Sequence, residues 1–202
     1  MNLDNQNLEW KLCEAYFSIL EISLSSDISI DKLCTKTKLS KEEVEKIVPE
    51  NNGDHKIFFL KILISKLDED VLTELKVDIA DDTVSSTYDK ILEGMSLRFE
   101  KYFQYKQSLK ILSNDSKQKV EVFFKIFREN YNFSSNLLTL IEEDQNCVIK
   151  TLKSLALNIV FTKSLEIFFN DEQKDIDRVI RYLDKYLSDM EDIGLLMGVI
   201  KK

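Results

Sequence analysis

The sequence predicts an all-α protein, and three observations carry that expectation. Four glycines and one proline in 202 residues leave little material for the turns of hairpins and sandwiches. Apolar residues recur at spacings of three and four through long segments. Leu, Ile, Lys and Glu dominate, with 44% hydrophobic and 32% charged residues, an ordinary balance for a soluble globular chain. This length suits one domain with a full core, or one domain with a small appendage. Neither an internal repeat nor a low-complexity segment is present.

The first helix is expected over 8–24, where Leu12, Ala15, Tyr16, Ile19 and Leu20 share a face. Ser25-Ser26-Asp27 breaks it. Ser29 then opens a short helix with Ile30, Leu33 and Cys34 inward, and 35–38 forms a polar turn. Ser40 with Glu43 three places later is a capping box for a second short helix, which holds Val44, Ile47 and Val48 inward and stops before Pro49. Two short helices joined by a tight turn make a helix-turn-helix layout, although such capped hairpins are also common in all-α proteins at large. Asn51-Asn52-Gly53 makes the next turn. Asp54 caps a longer helix that keeps its period to about residue 75.

The acidic stretch 77–84, with Asp78, Asp81 and Asp82, divides the chain into an N-terminal unit over 1–76 and a C-terminal one over 84–202. One of Ser85, Ser86 and Thr87 starts a long helix that runs to Leu112. Asn114-Asp115-Ser116 ends it and caps the next helix, 117–130. A polar break over 130–136 precedes a short helix over 137–141. The helix over 145–169 is apolar on several sides, which suits a central or interfacial position. After Asn170-Asp171 the last helix spaces Ile176, Leu183 and Met190 seven apart, and Ile180 and Leu187 likewise, a seam suited to a partner helix.

Several chemistries find no support. No Gly-rich phosphate loop, Ser/His/Asp or Cys/His set, or zinc spacing is present, so an enzyme, a cofactor and a metal are not expected. Cys13, Cys34 and Cys147 are an odd, scattered set and read as reduced small hydrophobes of a cytoplasmic protein. The one histidine, His55, reads as a first-turn surface residue. No signal peptide and no membrane-length apolar run is recognisable. The formal charge of −8 works against nucleic-acid binding, which is largely cationic.

The order of a helix, a helix-turn-helix, a connecting helix and about five longer helices resembles the TetR family of transcriptional regulators. In the N-terminal unit the resemblance rests on I-S-I-D-K-L-C-T-K-T-K-L-S-K-E-E-V-E-K-I-V-P. In the C-terminal half, Y-D-K-I-L-E-G-M-S-L-R-F-E-K-Y-F-Q-Y-K and F-F-N-D-E-Q-K-D-I-D-R-V-I-R-Y-L-D-K-Y-L are similar to a subset sharing its fold with lipid-binding accessory proteins of ubiquinone biosynthesis. The resemblance implies a homodimer that binds operator DNA through the helix-turn-helix and responds to a small apolar effector. It also implies an alternative, a non-DNA-binding protein handling lipid or quinone.

On that resemblance, Thr37, Lys38, Ser40, Lys41, Glu45 and Lys46 are the side chains set to reach double-stranded DNA. Lysines would supply sequence-independent attraction, and the Ser40 end of its helix would sit near a phosphate. The family commonly has a small residue, Tyr and His where this chain has Glu42, Glu45 and Ile47. A glutamate at position 45 sets like charge against the backbone. Residues 1–60 hold seven lysines against eleven acids. Arg98, Phe99, Tyr102, Phe103, Phe123, Phe127 and Phe161 lie on the helices that enclose the family's effector pocket; a packed aromatic core is the plainer expectation for them. Ile176, Ile180, Leu183 and Leu187 correspond to the family's dimer interface, a four-helix bundle. The apolar tail 193–202, ending in two lysines, suits a membrane surface in the alternative reading.

Overall fold

The computed structural model describes residues 3–24, 27–49, 55–114, 119–141, 147–172 and 175–196. Everything regular among them is helical: α1 (Leu3–Ser23), α2 (Ile30–Thr37), α3 (Lys41–Glu45), α4 (His55–Asp78), α5 (Thr87–Phe103), α6 (Lys106–Asn114), α7 (Lys119–Leu140), α8 (Cys147–Asn170) and α9 (Asp177–Leu196). The expected turn at 51–53, the caps at Asp54 and at 115–116, and the tail beyond Leu196 lie outside the described residues. The chain forms two compact units, one of residues 1–66 with 105–126, the other of 67–104 with 127–202.

In the first unit α1 packs on α2 and α6, and α2 on α3. Leu12, Tyr16, Phe17 and Leu20 form the buried stripe of α1, and Tyr16 stacks on Phe59 at 4.6 Å. Phe17 meets the edge of Tyr105, and Ser108 donates to the Phe17 carbonyl at 3.2 Å. Cys13 is buried, and its desolvation pushes the thiol far above the ordinary range, which leaves it inert as a nucleophile.

In the second unit α9 packs on α8 and α5. Ser86 is the cap of α5: its hydroxyl accepts from the Asp89 amide at 3.2 Å, while the Asp89 carboxylate accepts from the Ser86 amide at 3.0 Å. Tyr88 ties α5 to α9 by donating to the Asp184 carboxylate at 2.7 Å. Asn158 of α8 donates to the Phe127 carbonyl of α7 at 3.0 Å.

Three sequence expectations need correction. The long helix over 85–112 divides at Gln104 and Tyr105 into α5 and α6, because Tyr102 is buried in the second unit while Tyr105 packs on Phe17 in the first. The polar break at 130–136 does not exist: α7 runs through it. Asn130, Phe133 and Ser134 are buried there, and the Ser134 hydroxyl is absorbed by the Asn130 carbonyl at 2.8 Å. Side-chain polarity suggested a loop, but partners in the fold outweigh the weak helix propensity of Asn and Ser. His55 does open α4, yet it is 1% exposed rather than on the surface. Its Nε2 lies 2.8 Å from the Pro49 carbonyl, an acceptor only, so the proton sits on Nε2. Its neighbour Lys56, also buried, reaches Asp27 at 3.4 Å.

Candidate functional site

Two places concentrate the residues singled out by sequence. The first is the α2–α3 edge of the first unit. α2 ends at Lys38, a left-handed residue with φ of 60° whose amide donates to the Cys34 carbonyl. That αL step turns the chain in two residues into Ser40, the cap of α3. The Ser40 hydroxyl and amide both meet the Glu43 carboxylate, at 2.7 and 2.8 Å, and these hydrogen bonds hold Glu43 below its ordinary value. Leu33 of α2 and Val44 of α3 are buried completely, with α2 packed on α1 and α3 packed on α2.

Over residues 38–46 of this edge the charge is balanced. Lys38, Lys41 and Lys46 are exposed, and so are Glu42, Glu43 and Glu45. Lys41 lies 3.7 Å from Glu45 one turn on, a surface pair worth only a few tenths of a kcal/mol. Thr37 departs from its expected position: it is 5% exposed and its hydroxyl donates to the Leu33 carbonyl at 2.7 Å, so it faces the interior. Ser40, Lys41, Glu45 and Lys46 do share the exposed surface with Lys38. Nearby, Ile19, Asp31, Lys32, Thr35 and Lys36 line a shallow open depression of about 530 Å³.

The second place is the interior of the second unit, where Arg98 is fully buried. Its Nε and Nη2 fork the Asp68 carboxylate at 2.6 and 2.8 Å, and Nη1 donates to Asn130 at 2.9 Å. The Tyr102 hydroxyl donates to the same carboxylate at 3.2 Å. The guanidinium lies 4.3 Å from the ring centres of Phe133 and of Phe161, and Phe161 stacks on Phe99 at 4.6 Å. Burial pushes the Asp68 carboxyl up, and the Arg98 charge pulls it part of the way back. Burial is the largest single influence and works against the Arg98 cation, but Asp68 and Tyr102 together outweigh it and hold the guanidinium above its ordinary value. The result is a bidentate ion pair wrapped in aromatic rings. The Asn130 amide nitrogen and the Ser154 hydroxyl are buried without hydrogen-bond partners.

This interior gathers Arg98, Phe99, Tyr102 and Phe161, with Phe161 in ring contact with both Phe99 and Tyr102. Phe103 and Phe127 are half-buried. Phe123 belongs elsewhere: it is 51% exposed, on the part of α7 that falls in the first unit. Asp68 and Asn130 escaped the sequence reading. A signal for Asp68 was present, since it stands at a helical position shared with Ile64, Val71 and Leu75, the one charge on an apolar stripe.

Of the four residues at the expected dimer seam, Leu183 and Leu187 are buried within their own chain, while Ile176 and Ile180 are half-buried. The exposed apolar seam lies on α8 instead. Val148, Leu152, Leu155 and Ile159, spaced by four, three and four, are 64%, 51%, 38% and 47% exposed. Among the described residues no cluster of His, Cys, Asp and Glu is placed to hold a metal ion, and no helix is long and apolar enough to cross a membrane. Comparison with protein-family models, curated proteins and solved structures finds no match to this chain.

Proposed function

We propose that this chain is a TetR-like, dimeric, helix-turn-helix regulator that docks the α2–α3 edge on double-stranded DNA. The observation that supports it is the turn itself: an αL residue closing α2, then a complete capping box opening α3, with Lys38, Lys41 and Lys46 on the exposed side. Three lysines against three glutamates make phosphate attraction weak, so specific binding requires two half-sites held by a dimer. In this reading α8 supplies the missing apolar contact, because its exposed residues repeat at the spacing of a helix–helix seam and span about 16 Å. An apolar effector entering the second unit would have to part the Phe99–Phe161 stack, and it would change operator affinity only by its preference between the two states.

Selection of sheared genomic DNA on the purified protein at low and moderate salt tests the reading. Enrichment of a pseudo-palindrome supports it; retention of nothing, or of random fragments only, refutes it. On an enriched site, Lys41→Gln and Lys46→Gln should each flatten the salt dependence by about one unit of slope. Glu45→Gln should tighten binding, since it removes a negative charge from the docking edge. Leu152→Lys with Ile159→Lys should shift the protein from dimer to monomer in sedimentation while leaving its helicity intact. An unchanged sedimentation coefficient would remove α8 from the interface.

The charge balance at 38–46 favours a second reading on the same fold, an accessory protein that handles an apolar lipid or quinone without DNA. Co-purified lipid, with no DNA retained, is its signature.

A further inference from the structure

We draw no further inference here: the strongest candidate, the exposed apolar face of α7 at Val120, Phe123 and Phe124, carries none, because nothing in the structure shows what covers it.

Discussion

Asp68→Ala is expected to destabilise the second unit by about 3–5 kcal/mol at neutral pH, measured by urea unfolding. The loss is large because Arg98 has no exit: it is fully buried, its guanidinium does not deprotonate in a protein, and its remaining acceptor is one Asn130 amide oxygen. The reverse deletion behaves differently. Arg98→Met leaves a carboxyl that burial already pushes above its ordinary value, and it removes the charge that held that value down. Asp68 then takes up a proton in the folded state at a pH where the unfolded chain has released it. Folded protein binding more protons makes stability fall as pH rises, so the loss in Arg98→Met is greatest at neutral pH and shrinks on mild acidification. Asp68→Ala shows no such recovery, because Arg98 stays charged throughout. Replacing both residues with Met should restore much of the stability lost in either single variant, since two apolar side chains remove the desolvation cost of both ions. If Asp68→Ala costs less than about 1 kcal/mol, water reaches the pair and the centre is not a sealed one.

Gly94→Val is expected to cost about 3 kcal/mol, at the upper end of what overpacking does, by the same measurement. Gly94 is buried in the middle of α5, where glycine is a poor helix former, so its presence needs a packing reason. A Cβ added there would come within 2.8 Å of Leu137 Cδ1 and 2.9 Å of Leu75 Cδ2. Both leucines are fully buried, so their methyl ends have little room to retreat. Gly94→Ala sets two effects of similar size against each other: a gain of about 1 kcal/mol in helix propensity and a steric cost of about the same or somewhat more. It should therefore be close to neutral or slightly destabilising. Valine adds two methyl groups to the same gap and loses the propensity advantage. A Gly94→Val protein within 1 kcal/mol of the parent would mean that Leu75 and Leu137 repack freely.

What was legible in the sequence is what local chemistry controls. The all-α class followed from apolar period and from the scarcity of glycine and proline. One helix start was visible as a capping box, Ser40 with Glu43; another was narrowed to Ser85, Ser86 or Thr87, and the structure selects Ser86, boxed with Asp89. The two short helices before Pro49 were visible from apolar spacing, although Ser29 makes no side-chain cap bond at the start of α2. What local pattern misread were polar residues that the fold buries. Asn130 and Ser134 looked like a loop, and His55 looked like surface, because a side chain bonded inside the fold cannot be told from a solvated one by its own neighbours.

Tertiary structure alone decided the rest. Arg98 was visible as a possible anchor, but its partner lies thirty residues away on another helix, and only folding brings the carboxylate to 2.6 Å. The helix that became α8 read as apolar on several sides, a pattern that cannot rank its faces. Packing buried Leu157, Val160 and Phe161 and left Val148, Leu152, Leu155 and Ile159 outside. Phe123 was likewise grouped with the core aromatics by type, until the fold placed it on the surface of a different unit. Periodicity tells which residues share a face of a helix; which face meets the core depends on the helices packed beside it, and no local pattern contains that.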